Sequence, residues 1–399
     1  MKKAFYMMAA AAIALSSCSS EETTDVAKST AISFRPTVGF NSRGAELNNT
    51  NFTEMWVSGF DMGATSGTGN GFEDVKFNKQ GAGNEFLPDI PLFWQAGSEL
   101  RFFAINPVKT DWHGTLDINK TSASFTNVTI PENIEEQKDL VIGSVTAQAN
   151  THMDGSGVGL TLNHILSQIN FKAINTNKRL TYHIAAIRIV NAKNGDSYTF
   201  NPTQSQIGAW TGNPTSDVKY ELDFKNNAIE LNGTDGKTEA FLTHKGHGAM
   251  LVPQSLKPWN GKEVSDADQF DGGSYIALLV NVRFTNGTYV YPKKANGDED
   301  YGWIAIPLPK NNGDKAEWKM GNKYIYTLNL SEGCGKVDPV NPNPDGGGKV
   351  EPDGTTDPKP GANIFGKPIK FTVTLAPWTD KNGVAEGSTG YNPNENIQM

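Results

Sequence analysis

Apolar and polar residues alternate with a period of two along most of this chain, and that pattern constrains the fold more than any other feature. Successive side chains of a strand point to opposite faces, so apolar residues at i, i+2 and i+4 line one side of a sheet. Ile32, Phe34, Val38 and Phe40 fall on one such face. Pro36 lies among them, which places that strand at a sheet edge, where a missing N–H is tolerated. Leu100, Phe102 and Ala104 interleave with Arg101, Phe103 and Ile105, predicting a strand buried on both faces. Ile184 to Val190, Ile276 to Val282 and Trp303 to Leu308 are further strands. Tyr324, Tyr326, Leu328 and Leu330 share a face of another. Leu162 to Ile174 begins ambiguously, since His164, Ile165, Leu166 and Ile169 also fit helical spacing. Glu132 to Leu140 has room for one or two helical turns. Asn-Gly pairs at 194–195, 232–233, 286–287 and 296–297 are hairpin signals, because both residues tolerate positive φ. The chain reads as all-β.

The N-terminus reads as an export signal. Lys2 and Lys3 precede an apolar run, Ala4 to Leu15, which is shorter than the roughly 20 residues needed to span a bilayer. Leu15-Ser16-Ser17-Cys18 resembles a bacterial lipobox, which makes residues 1–17 a signal peptide and Cys18 the lipid acceptor. Ser19-Ser20-Glu21-Glu22 is similar to the acidic tag that directs such lipoproteins to the cell surface. With Cys18 lipidated, Cys334 has no intramolecular mate, so disulfides do not hold this fold. The formal charge of −8 and the lack of a basic run argue against nucleic acid or anionic lipid as the main partner. Contact with the membrane is through the lipid alone.

A Gly-, Asn- and Thr-rich stretch at 148–159 reads as a boundary between two β-rich regions, 44–150 and 151–332. Residues 333–366 follow as a Pro/Gly-rich flexible insertion, too poor in apolar residues to offset the entropy of ordering. Residues 367–399 then hold one more alternating strand, with Ile369, Phe371, Val373 and Leu375 on one face, and a polar tail. That strand needs an edge, at home or in a neighbouring molecule.

These residues resemble the fimbrillin-like family, the type V pilins of Bacteroides-type bacteria. The likeness rests on the lipobox and on Ser42-Arg43-Gly44 after the first strand. It continues through Phe93-Trp94-Gln95-Ala96-Gly97, which leads into Leu100 to Pro107, and Gln137-Lys138-Asp139-Leu140. Leu162 to Ile169, Leu251-Val252-Pro253-Gln254, and the strand at 324–330 with Ile369 to Trp378 complete it. Here Ser-Arg-Gly stands where the family often has Thr-Arg-Ala, and the insertion before the last strand is unusually long.

The resemblance implies two tandem transthyretin-like antiparallel β-sandwich domains. It implies export as an outer-membrane surface lipoprotein and cleavage by a trypsin-like protease after Arg43, with Arg35 as fallback. Residues 18–43, with the strand Ile32, Phe34, Val38 and Phe40, would then be a removable propeptide. A neighbouring subunit, self or related, would fill the groove with its Ile369, Phe371, Val373 and Leu375. The expected product is a structural or adhesive fimbrial subunit, with a host or bacterial surface molecule as a further partner. The alternative is a permanently anchored surface glycan-binding lipoprotein that keeps residues 19–43 as a tether.

No constellation points to an enzyme, a cofactor or a metal. His244 and His247 are spaced like ligands but have no third partner. His164 reads as a satisfied core or interface histidine. Asp266, Asp268 and Asp271 approach a calcium loop, but Phe270 falls where such a loop needs an oxygen. Gly67 to Gly71 lacks the Lys-Ser/Thr of a phosphate loop. Asp196-Ser197 lacks a nucleophile-elbow pattern. Trp56, Trp94, Trp210, Trp259, Trp303, Trp318 and Trp378 either pack cores or line a glycan platform.

Overall fold

The computed structural model describes residues 31–38, 51–64, 71–200, 208–212, 216–243, 248–265, 269–293, 300–341, 358–377 and 397–398. Strands dominate them; the helical segments there are the four-residue turn Ala149–His152 and three short 3-10 turns. One of these, Ile134–Glu136, is where a helical turn was expected, and the Asn133 side chain accepts from Glu135 N at its start.

The first body is a closed barrel. Its strands run β1 (Phe34–Val38), β4 (Phe86–Pro88), β3 (Phe72–Lys79), β2 (Glu54–Asp61), β5 (Glu99–Asn106), β8 (Val141–Gln148) and β9 (Val158–His164) in spatial order. Phe34, Met55, Val57, Phe77, Phe86, Phe102, Leu160 and Leu162 fill it. β5 is two-sided, as its pattern predicts. Leu100, Phe102 and Ala104 face the barrel core, and Phe103 and Ile105 join the core of the neighbouring body. Residues 148–159 belong to the barrel, connecting β8 to β9, and the chain leaves it at Ile165-Leu166.

The second body has two large sheets. One contains β16 (Glu239–Phe241), β10 (Ser167–Ile174), β23 (Asn322–Asn329), β25 (Lys370–Pro377) and β26 (Ile397–Gln398) in that order, with β17 (Ala249–Leu251) also on β10. The other contains β14 (Ser216–Asp223), β11 (Leu180–Asn194), β19 (Tyr275–Phe284), β21 (Gly302–Pro307) and β24 (Lys336–Val337). β15 (Ile229–Asn232) and β20 (Tyr289–Tyr291) extend it. Phe171, Tyr324, Tyr326 and Leu328 from the first sheet and Tyr182, Ile184, Leu278 and Ile304 from the second share one core. Such a shared apolar layer is what holds two sheets together. β18 (Gln254–Leu256) and β22 (Ala316–Trp318) form a separate ribbon.

A four-stranded sheet joins the two bodies. β6 (Thr115–Ile118) and β7 (Ala123–Val128) come from the barrel's half of the chain, β12 (Asp196–Thr199) and β13 (Ala209–Trp210) from the other. Phe103 meets Phe200 edge-on at 5.5 Å beneath it. Asn194-Gly195, expected to close a hairpin, instead hands the chain from β11 to this sheet. Asn286-Gly287 does turn a hairpin, between β19 and β20, with Phe284 N donating to Thr288 O. The pair at 296–297 lies outside the described residues.

Composition predicts flexibility for 333–366, and the described ends of that segment make backbone hydrogen bonds to one another. Val337 N donates to Ala362 O, Gly361 N to Val337 O and Cys334 N to Phe365 O. The glycines that lower the apolar content are what allow this pairing. A Cβ on Gly333 would lie 1.7 Å from Lys367 O, and Gly366 has φ +70°. Residues 342–357 lie outside the described residues.

Candidate functional site

The candidate site is the place where β1 closes the barrel. Its neighbours are β9, parallel, from Phe34↔Val158 to Val38↔Leu162, and β4, antiparallel, at Phe34↔Phe86. Alternation in the sequence becomes alternation in burial: Phe34, Pro36 and Val38 are buried, while Arg35 and Thr37 are exposed. The Phe34 ring stands edge-on to Phe77 and to Phe102, each at 5.0 Å. Ile32 is buried one step earlier, and its N–H donates to Leu92 O at 2.6 Å. Val158 N donates to Ser33 O at 2.8 Å. Burying Ile32, Phe34 and Val38 contributes roughly 1.5–3 kcal/mol per side chain.

Pro36 was expected at an edge. β1 lies instead between two strands, but Pro36 itself is paired only with β9, at Leu160, and the reason is local. Alternate residues of a strand turn their N–H and C=O to the same neighbour. Ser33 faces β9, so Pro36 faces β4. There the ladder has already ended at Phe34↔Phe86. The Asn84 side chain takes over, with Nδ2 donating to Pro36 O at 2.7 Å. The missing N–H falls where no carbonyl waits for it. Neither Asn84 nor the 92–93 segment is recognisable in the sequence, because each acts through a turn whose partner lies about fifty or more residues away. Phe40, Cys18 and Arg43 lie outside the described residues; Arg35 is exposed in the middle of β1.

The second candidate strand, β25, lies against β23 in an antiparallel ladder from Asn322↔Pro377 to Asn329↔Lys370. On its other side, among the described residues, it meets β26 at Thr372↔Gln398 and Val373↔Ile397. Ile369 and Val373 are buried, at 8% and 1% exposure. Phe371 and Leu375 are half-buried against the shared core. In this structure the last strand is therefore held in its own chain, and less completely than the first.

The remaining candidates take structural positions. His164 Nδ1 lies 2.8 Å from Asp139 Oδ2, both side chains buried. Asp271 is used by its own turn, with Oδ1 accepting from Gly273 N and Oδ2 from Asn260 N. Asp196 Oδ1 accepts from Ser197 N. Gly71, the last residue of the glycine-rich run, lies against β2, where a Cβ would fall 1.8 Å from Gly59 O. Trp94, Trp112, Trp259, Trp303 and Trp318 are buried, and Trp56 and Trp210 half-buried. Cys334 is a buried free thiol 3.4 Å from Tyr182 Oη, and burial pushes its pKa up to about 11. Gly67, Gly69, His244, His247, Asp266, Asp268 and Trp378 lie outside the described residues. Among the described residues, no group of three His, Cys, Asp or Glu is placed to hold a metal, and no helix is long and apolar enough to cross a membrane.

Comparison with curated proteins gave no match. Among solved structures, the chain is similar to a fimbrial protein from Bacteroides vulgatus, at 14% identity and TM-score 0.48, over 87% of this chain and 99% of that one. It is also similar to a fimbrial assembly protein from Parabacteroides distasonis, at 12% identity and TM-score 0.34, over 86% and 96%. The family model described as fimbrillin-like matches residues 43–352, a span that begins after β1 and ends before β25. A match over that share of the sequence assigns it: the chain belongs to the fimbrillin-like family.

Proposed function

We propose that this protein is a structural or adhesive subunit of a type V fimbria, assembled by strand exchange. It is exported as a surface lipoprotein on Cys18, built from two tandem transthyretin-like β domains of which the first is closed into a barrel by β1, and cut by a trypsin-like protease after Arg43. The cut frees residues 18–43 together with the lipid. The observation that carries this reading is the position of β1. The strand upstream of the cut is the one that closes the barrel, with Phe34 fully buried between two neighbours. Its departure leaves an apolar slot flanked by unpaired backbone on β9, an edge that recruits another strand. Arg35 is the poorer site, because it lies within the β1 ladder and Pro36 follows it, a bond that trypsin-like enzymes resist.

The alternative, a permanently anchored glycan-binding lipoprotein, calls for exposed Trp. Trp94, Trp112, Trp259, Trp303 and Trp318 are instead core residues. The test is to treat the purified precursor with a trypsin-like protease, read the new N-terminus by mass spectrometry and run unheated gels. A mature chain beginning at Gly44 and a ladder of heat-sensitive multimers are expected. A chain left intact at Arg43, or surface material that keeps lipidated Cys18 and forms no multimers, overturns the proposal.

A further inference from the structure

The outer face of the second large sheet changes character along its length. Ala277 and Leu279 of β19 and Trp303 of β21 face outward and are buried with Trp259 packed among them. Towards the Asn286-Gly287 hairpin the same face turns polar and is left as a groove. The strand registers account for this. Tyr182 and Ile184 of β11 point into the shared core, so Thr181 and His183 point outward. Thr181 lies opposite Asn232 of β15 and Arg283 of β19, and His183 lies opposite Glu230 and Asn281. Two polar rows therefore cross three strands. With the loops beside them they line a groove of 780 Å³, within the range of small-ligand sites.

The carboxylates of this groove are already engaged. Glu230 Oε2 lies 3.2 Å from Lys237 Nζ, and Asp235 Oδ2 accepts from Asn232 Nδ2 at 3.1 Å. The cations are placed differently. Arg283 Nη2 donates to His183 Nε2 at 2.9 Å, and its guanidinium lies over the Tyr289 ring. An accepting Nε2 has no proton of its own, so the arginine's partner there is a neutral ring. Lys178 lies on an exposed turn of the lining and is paired with no carboxylate among the described residues. The apolar side chain of the described lining is Phe284, whose ring meets Phe365 edge-on at 5.6 Å; Phe365 is itself 43% exposed.

Resting on the adhesive half of the reading above, we propose that this groove binds a glycan that carries a carboxylate. Arg283 and Lys178 hold the anion, Thr181 and Asn232 meet sugar hydroxyls, and Phe284 takes the apolar face of a sugar ring. A planar guanidinium offers a carboxylate two parallel hydrogen bonds. A pyranose ring has a face of C–H groups and a rim of hydroxyls, so it needs one aromatic wall and several fixed polar partners. The lining has that composition. A peptide ligand needs apolar pockets for its side chains, and the described lining provides none besides Phe284. The chain carries a formal charge of −8, so attraction for an anion belongs to this groove and not to the protein as a whole.

The test is calorimetric titration of the purified full chain with sialyllactose, trigalacturonate, lactose and an oligoglutamate peptide. The two acidic sugars are expected to bind at least about tenfold more tightly than lactose or the peptide, and less tightly as salt is raised. Arg283→Gln and Lys178→Gln should each weaken acidic-sugar binding about tenfold, the loss of one charge-assisted contact. Lys178 is exposed, so Lys178→Gln keeps the test decisive if Arg283→Gln fails to fold. Acidic sugars that do not bind, lactose or the peptide binding as tightly as they do, or affinity unchanged by Lys178→Gln overturns the proposal. The gels described above judge assembly separately. A cleaved chain that forms multimers and binds neither acidic sugar overturns this inference and leaves the fimbrial reading standing.

Discussion

β1 and β25 carry a shared seven-residue pattern, Ile32 to Val38 and Ile369 to Leu375, and are held in different ways. β1 lies between β9 and β4 and completes a closed barrel, with its apolar side chains enclosed. β25 has one long partner, β23, and a two-residue contact with β26 on the far side. Phe34 has aromatic rings on two sides at 5.0 Å, while Phe371 is only half-buried, packed against its core. The difference shows that the stability of a strand is a property of its site. Alternation supplies the apolar face, and the number of flanking strands determines how much of that face leaves water.

The most severe test of this contrast is Phe34→Ala in the uncut precursor. It should cost about 3–5 kcal/mol, as for other fully buried Phe, read from denaturant unfolding. A loss below about 1 kcal/mol would mean that β1 does not close the core, and the contrast would fail. The second test isolates the body that holds β25. Cys334, whose N–H bonds to Phe365 O ahead of β25, has its pKa raised from 9.0 to about 11 by burial. A thiol that is harder to ionise folded than unfolded contributes stability in full below pH 9, and that contribution is lost as pH rises through 11. The loss should be about 2–3 kcal/mol, taking roughly 1.4 kcal/mol per pH unit. Buried tyrosines such as Tyr182 and Tyr326 are also pushed up by burial and add to the alkaline loss, so the thiol's share is the amount by which Cys334→Ala reduces it, and that share should not appear as barrel-specific hydrogen exchange. Third, Phe371→Ala should cost only about 1–2 kcal/mol in the precursor, because part of the ring already meets water. A loss equal to that of Phe34→Ala would erase the difference between the two strands. The smallest effect is expected for Asn84→Ala, about 1 kcal/mol for the hydrogen bond to Pro36 O. Faster exchange at β1 with β23 unchanged would confirm that this bond belongs to the barrel closure.

Much of this architecture is legible in the chain. The two-faced burial of β5 follows from Leu100, Phe102 and Ala104 interleaved with Phe103 and Ile105, because a strand can hide both faces only between two cores. The core face of β23 follows from Tyr324, Tyr326 and Leu328 for the same reason. His164 is a core histidine beside Asp139, as its apolar neighbours imply. What escapes is pairing across long separations. Nothing near Tyr198 announces that it will pair with Phe125, because a ladder hydrogen bond is backbone to backbone and leaves no mark on side-chain identity. The local rule puts Pro36 at an edge because it has no knowledge of Asn84. Composition makes the ends of 333–366 flexible because it counts glycines as missing apolar surface. At Gly333 and Gly366 their small size is what lets two segments touch.

The sequence alone determined which residues want burial and with what period, since that depends on side-chain chemistry and strand geometry. It therefore determined that the chain is β-rich, and that its first and last strands share one pattern. Only the tertiary structure decided that the first copy of that pattern closes a barrel and the second lies near a sheet margin. That decision depends on which distant strands supply neighbours, and so on how many unpaired backbone groups and apolar atoms each copy can hide.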